Sequence, residues 1–192
     1  MNLELWFPQP IWFKDHDVCF SKAVEYIQKL KDADPGRKVS NIGGWQSNNI
    51  DFSSVEELKE VFDVINEGVQ CVVDSVQENG FTNFSLGDSW INVNKGTDFN
   101  RQHTHAGSTF SGCLYLKAAE SAGAIEFARP DNMALHPRTD NKTGIFFQTA
   151  SFKPVVGRLL IFPAWLPHMV LPSASDEERI SVAFNVNHIG GN

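Results

Sequence analysis

The chain has no long apolar stretch: its longest uninterrupted runs are four residues, as in Leu159 to Phe162, against the roughly 20 that cross a bilayer. That excludes a helical membrane span. The start, Met1-Asn2-Leu3-Glu4-Leu5-Trp6, has no basic segment followed by a long apolar core, so no secretory leader and a cytoplasmic location are expected. Clustered positive charge is also missing. With 16 Lys and Arg against 23 Asp and Glu, a net charge of −7 and a pI near 5.3, the chain lacks what gives proteins affinity for phosphate backbones, and no nucleic-acid partner is expected. Cysteine is scarce. Cys19, Cys71 and Cys113 are odd in number and widely spaced, which fits buried reduced thiols better than a disulfide framework, and none has a cysteine partner at metal-site spacing. Internal repeats and low-complexity tracts are absent as well.

What is present is ordinary globular material: 192 residues, 42% hydrophobic and 20% charged. A chain of this length buries roughly 70% of its unfolded surface, so it needs no structural metal, and any metal bound would serve chemistry. One domain over 1–192 is expected, with a helical support region over 1–80 and a β core over 81–192.

The segment Leu3 to Phe13 mixes aromatics with Pro8 and Pro10, and the prolines confine it to an edge or an irregular extended path. Val18, Val24, Ile27 and Leu30 fall near one helical face. A stronger helix is predicted from about Ser54 to Gln77. There Val55, Leu58, Val61, Phe62, Ile65, Val69, Val72, Val73 and Val76 recur at three- and four-residue steps, Ser53 and Glu56 offer a capping box, and Gly80 lies just past the end. Such a stripe means core packing.

From Phe81 the pattern changes to short runs rich in Val, Ile, Phe, Trp and Thr, broken by Gly, Pro, Asn and Asp. Expected strands are Phe84 to Ser85, Ser89 to Asn94, Ser111 to Leu116, Ala124 to Phe127, Gly144 to Thr149, Arg158 to Phe162, His168 to Leu171 and Ile180 to Val186. Eight short strands suggest a double-sheet jelly roll, with the long helix bracing an outer face. The polar stretch from Pro130 to Lys142 reads as a long loop of the kind that forms lids, or else as a plain surface excursion.

Three histidines and an arginine carry the chemical reading. His103-Thr104-His105 sets two imidazoles two residues apart, and on a strand such residues point to the same side, so both can reach one metal. His168 follows an apolar strand and a turn bounded by Pro163 and Pro167, which would hold it rigidly. Two near ligands and one distant ligand leave the far side of a metal open, as catalysis requires. Eleven residues on, Arg179-Ile180-Ser181 puts a guanidinium and a hydroxyl on one strand face, and the planar guanidinium fork matches a carboxylate. The alternative for Arg179 is a surface salt bridge to Glu177, Glu178 or another acid. His16 and His188 read as structural or surface residues, and His136 could approach a substrate from the loop.

At this conjunction the sequence resembles the iron(II)- and 2-oxoglutarate-dependent oxygenases. Their pattern is a His-x-Asp/Glu pair, a distal His and, about ten residues later, Arg-x-Ser. His103, His168, Arg179 and Ser181 match it. The layout is similar to a bacterial and phage subgroup, with Trp90-Ile91-Asn92-Val93-Asn94 before the pair, Ser111-Gly112-Cys113-Leu114-Tyr115-Leu116 after it and Phe162-Pro163-Ala164-Trp165-Leu166-Pro167-His168 later. The resemblance covers most of the chain.

It implies a mainly β, double-stranded β-helix (jelly-roll, cupin-like) fold with N-terminal helices packed on one sheet, and the activity of a dioxygenase of hydroxylase type. The cofactors implied are Fe(II) and 2-oxoglutarate, the products succinate and CO2, and the partner a small-molecule or peptide substrate. It further implies His103 and His168 as metal ligands, Arg179 and Ser181 on the far carboxylate of 2-oxoglutarate, and Asn92, Asn94, Gln102 and Tyr115 as further groups positioning it, while the two-residue spacing on a strand makes His105 the expected third metal ligand.

One departure stands out, since His105 occupies the usual carboxylate position. It could complete a three-histidine face, or Asp98, Glu126 or Asp131 could supply the carboxylate, or the usual reaction could be lost. Two rival classes are a three-histidine cupin that oxidises a small molecule without 2-oxoglutarate, and a non-enzymatic jelly-roll module using Trp45, Trp90 and Trp165. The first leaves Arg179 and Ser181 without a role, and the second leaves the histidines without one.

Overall fold

The computed structural model describes residues 8–76, 83–131 and 147–189. Their apolar periodicities give two helices and eleven strands. Helix α1 is Ser21–Ala33 and buries Ala23 and Ile27, with Val24, Tyr26 and Leu30 packed alongside. Val18 precedes it. Helix α2 is Lys59–Ser75 and buries Val61, Val64, Ile65, Val69, Val72 and Val73, the three- and four-residue spacing expected of one face.

The start of the long helix differs from the sequence expectation. Two 3-10 turns, Phe52–Ser54 and Glu56–Leu58, precede α2, separated by Val55 in an extended conformation at φ −113°, ψ 114°. The capping box of Ser53 and Glu56 does not form. Asp51 lies upstream and its carboxylate accepts from both the Ser53 amide (3.0 Å) and the Ser53 hydroxyl (2.6 Å), which starts the chain turning earlier. The expected end of this helix at Gln77 and the cap at Gly80 lie outside the described residues.

The strands are β1 (Trp12–Asp15), β2 (Asn41–Ile42), β3 (Trp45–Gln46), β4 (Phe84–Asn94), β5 (Phe99–His103), β6 (Phe110–Lys117), β7 (Ile125–Ala128), β8 (Thr149–Phe152), β9 (Arg158–Pro163), β10 (His168–Val170) and β11 (Arg179–His188). They form a six-stranded sheet in the order β1-β9-β6-β11-β4-β3 and a five-stranded sheet in the order β2-β5-β10-β7-β8. Each recorded pairing is antiparallel. This is the mainly β, two-sheet jelly-roll architecture the sequence suggested.

Helices α1 and α2 share one apolar cluster with β4, β6, β9 and β11, so they cover the outer face of the larger sheet. Their approach is close. A Cβ at Gly68, inside α2, would come within 2.2 Å of Leu159 Cδ2 on β9.

Several strands differ from expectation. The segment before residue 80 is not simply helical, because β1, β2 and β3 come from it and extend both sheets. The runs Phe84 to Ser85 and Ser89 to Asn94 are one strand, continuous through Gly87. A register shift in β11 between Phe184 and Val186 takes up the irregularity, and Gly87 leaves space that Asn187 fills. Strand β5 was not anticipated, because Phe99-Asn100-Arg101-Gln102-His103 carries almost no apolar signal. The expected strand from Gly144 to Thr149 begins outside the described residues, and the described one there is Thr149–Phe152. Most of the loop from Pro130 to Lys142, with His136, also lies outside them.

Candidate functional site

Between the sheets lies a cavity of about 520 Å³, lined from the larger sheet by alternate residues of β4 and β11 and from the smaller by β5 and β10. Asn92, Asn94, Gln102, His103, His105, Tyr115, His168, Arg179 and Ser181 all line it. The nine residues singled out from the sequence are thus brought to one place.

His103 ends β5 and lies directly across the ladder from His168, the first residue of β10. His105 is not on the strand, contrary to the spacing argument: β5 has ended by then, and a different contact turns it inward. Its amide donates to the Ala164 carbonyl at 2.8 Å, and its ring stacks on Trp90 with centroids 5.7 Å apart at 29°. The possible ligand atoms of the three imidazoles lie within 4.8 Å of one another. Among the described residues no carboxylate joins this group. Asp98 accepts from the Lys95 amide, Glu126 from the Ser151 hydroxyl, and Asp131 pairs with Arg129.

The hydrogen bonds set the tautomers. Nδ1 of His103 donates to the Arg101 carbonyl at 2.7 Å and Nδ1 of His168 to the Leu166 carbonyl at 2.9 Å, so each presents a bare Nε2 to the cavity. Nε2 of His105 stands 3.3 Å from Nε2 of His168. Two bare nitrogens at that distance repel unless a proton or a cation lies between them. Burial, reinforced by the neighbouring imidazoles, pushes His168 down to about 3 and His105 to about 4, and burial also lowers His103. Near neutral pH the three are therefore uncharged nitrogen donors, as metal ligation needs. One ion about 2.1 Å from each would set neighbouring nitrogens about 3 Å apart, close to the spacing of His105 and His168. The donor set fits a divalent transition metal.

Arg179 opens β11 and is only 1% exposed. Its Nη1 donates to the carbonyls of Gly123 (2.5 Å) and Leu171 (3.5 Å), and no described carboxylate lies within 4.0 Å of it. Among the described residues the surface salt bridge does not form. Glu178 points the other way and is taken by Lys31 at 2.6 Å and Gln28 at 2.5 Å, which ties β11 to α1. Strand alternation puts Ser181 beside Arg179, opposite Asn92, while Arg179 itself stands opposite Asn94. Tyr115, on β6 across from Ser181, is buried, and burial holds its phenol protonated well above the usual range. A buried guanidinium ringed by neutral hydrogen-bonding groups and lacking an anion fits a ligand carboxylate.

Sequence reading missed Arg37, Asp88, Arg101, Ser111, Cys113 and Asn185, which also line the cavity. Asp88 was legible, since it continues the two-residue step of Trp90, Asn92 and Asn94 along β4. Arg37 was not, because nothing local marks it. The three tryptophans are not gathered: Trp90 lines the cavity, Trp45 is buried with its indole N–H on the Asp34 carbonyl, and Trp165 is exposed. His16 and His188 stand apart from the site as expected, His188 packing its ring against Phe84.

A model of the family described as "Putative 2OG-Fe(II) oxygenase" matches residues 88–185, and the chain belongs to that family. It is therefore an oxidoreductase that uses iron(II) and 2-oxoglutarate, which displaces both rival classes. No curated protein matches the sequence. Among solved structures, a Pseudomonas putida prolyl-4-hydroxylase is 17% identical, with 95% of this chain and 94% of that one covered and a TM-score of 0.66. A viral collagen prolyl hydroxylase from Paramecium bursaria Chlorella virus-1, solved with 2-oxoglutarate, is 16% identical with coverage of 93% and 96% and a TM-score of 0.59. HygX from Streptomyces hygroscopicus, solved with nickel and 2-oxoglutarate, is 10% identical with coverage of 93% and 83% and a TM-score of 0.62. At these identities the likeness establishes the fold. No described helix is long and apolar enough to cross a membrane.

Proposed function

We propose that the chain is a single oxygenase domain that hydroxylates a small-molecule or peptide substrate. In this reading His103, His105 and His168 hold iron(II), and Arg179 and Ser181 bind the far carboxylate of 2-oxoglutarate. When bound, the metal and 2-oxoglutarate together supply oxidation by molecular oxygen, with succinate and CO2 released and oxygen placed on a substrate C–H bond. The observation that carries the reading is the Arg179 guanidinium, 1% exposed and with no described carboxylate within 4.0 Å, in the same cavity as three converging imidazoles.

Each residue then has a physical task. The Arg101 and Leu166 carbonyls fix the orientation of His103 and His168, Trp90 backs the ring of His105, and Arg179 supplies a preorganised fork. Asn92, Asn94, Gln102 and Tyr115 offer neutral hydrogen-bonding groups that position the cosubstrate without competing with it for the guanidinium. Tyr115 stays protonated and so can donate. The apolar side chains of Ile125, Phe162 and Val170 line the same space and limit water there. Similarity to prolyl hydroxylases supports hydroxylation as the outcome. The neutral His105 leaves the metal site one unit more positive than a carboxylate would.

Anaerobic titration of the iron(II)-loaded protein with 2-oxoglutarate tests this. A weak visible charge-transfer band should grow in and saturate. Iron binding without that band would mean that the cosubstrate does not chelate the metal.

A further inference from the structure

The cavity has two ends, and the cosubstrate accounts for one. Along the paired inner faces of β4 and β11, Arg179 stands opposite Asn94 and Ala183 opposite Trp90, and beyond Trp90 come Asp88 and Asn185. Six residues separate Arg179 from Asn185, about 20 Å at roughly 3.3 Å per residue, and a short dicarboxylate spans less than half of that. Trp90, stacked on His105, marks the level of the histidines. The Asp88 end lies past them.

That end holds a second guanidinium that the cosubstrate leaves unused. The carbon at the centre of the Arg37 group is 5.9 Å from the ring centroid of Trp90. Its Nη2 donates to Asn49 Oδ1 at 2.8 Å, its Nε is buried with no partner, and no described carboxylate lies within 4.0 Å. Asn49 is itself oriented, because its amide donates to Asp88 at 2.6 Å. The fork is thus braced before any ligand arrives. Charge points the same way: the chain carries −7, yet among the described residues the charged side chains lining the cavity are Arg37, Arg101 and Arg179 against Asp88. With Arg179 given to 2-oxoglutarate, two cations face one acid.

Resting on the oxygenase reading above, we propose that the primary substrate carries a carboxylate that pairs with Arg37, its apolar body lying against Trp90. A planar, oriented fork beside an indole face suits a carboxylate on a carbon skeleton better than a neutral polar group. Arg101, exposed at the rim, draws anions toward the opening.

The test uses protein loaded with iron(II) and 2-oxoglutarate under nitrogen, and calorimetric titration with matched pairs of probes. One arm compares N-acetyl amino acids with their carboxamides, and the other compares capped tripeptides bearing Asp or Glu with their Asn or Gln counterparts. At least one acid should bind about thirtyfold more tightly than its amide, the lower range for a paired charge. The arm in which it appears says whether the carboxylate is terminal or on a side chain. Arg37→Gln should bring acid and amide within about twofold while the 2-oxoglutarate band titrates as in wild type, and Arg37→Lys should keep part of the preference.

No acid preferred over its amide in either arm overturns the proposal, as does a preference that survives Arg37→Gln in protein of unchanged melting temperature. A loss of 2-oxoglutarate affinity in Arg37→Gln also overturns it, by giving Arg37 to the cosubstrate. An Arg37-dependent preference in wild-type protein that never binds 2-oxoglutarate supports the contact and defeats the oxygenase reading instead.

Discussion

The two sheets are stabilised in different ways, and the site lies where they meet. The larger sheet is apolar on the face that meets the helices. Seven of the eight residues of β6 are buried, and its strands share with α1 and α2 a core that includes Leu58, Val61, Ile65, Leu114, Leu159, Ile161, Ile180 and Val182. The smaller sheet has strands of two to five residues, and in the second apolar cluster it contributes only Ile125 and Phe127, with Phe152 and Val170 partly buried at its edge. It owes more to ladder pairing and to the neighbouring sheet than to a core of its own. His103 and His168, direct cross-strand partners, lie in this thinner half, and Arg179 and Ser181 lie in the thicker one. The comparison teaches that a metal here would clamp β5 to β10, whereas a ligand on Arg179 meets a wall that is already rigid.

His168→Ala should break the contrast most severely. Iron(II) affinity should fall by more than about 100-fold, beyond the loss from removing an outer partner of a ligand. The rise in melting temperature that iron gives the wild type should vanish with it. Equilibrium dialysis and a thermal scan measure the two effects, and affinity retained in the mutant would remove His168 from the metal set.

Acting on the thicker wall, Arg179→Ala should weaken 2-oxoglutarate binding by about 2 to 5 kcal/mol and leave iron affinity unchanged. Calorimetry with each ligand separates the effects. Equal losses for both would mean that the two walls are not independent.

On the helix side, Ile65→Ala removes a fully buried side chain from α2 and should cost about 2 to 5 kcal/mol of global stability. Urea unfolding reads that loss. The folded fraction should bind 2-oxoglutarate as the wild type does, and altered affinity would show that helix packing sets the site geometry.

The last contrast is read against pH. Folding pushes His168 down to about 3 and His105 to about 4, while in the unfolded chain both titrate near 6.5. The unfolded state therefore binds more protons in between, so these groups make metal-free stability rise with pH from about 3 to about 6.5 and level off above. Melting temperatures of wild type and His168→Gln should converge at low pH, the mutant profile being the flatter. Parallel profiles would mean that His168 is not buried as a neutral ring.

Much of this was legible because the signals were local. The helical stripe marked α2, and apolar runs marked β6, β9 and β11. Two-residue alternation put Arg179 and Ser181 on one face, while Asn92 and Asn94 came from the family resemblance. Where the expectation failed, it failed at polar positions. Strand β5 carries no strand signal because its residues serve the cavity instead of a core, and the capping box lost to Asp51, a competing acceptor two residues away. His105 pointed inward as expected but for a different reason, a bond to the Ala164 carbonyl some sixty residues distant.

By itself the sequence determined which residues could carry the chemistry, and it determined the long elements, because a side chain's identity and a period of two or 3.6 are properties of neighbouring residues. Only the tertiary structure decided that β2, β3 and β5 would join the sheets, that Glu178 would bond to α1 instead of Arg179, and that Arg37 would lie over Trp90. These depend on contacts between residues far apart in the chain. The geometry of such contacts is fixed by packing the two sheets and the helices together, and no local pattern encodes it.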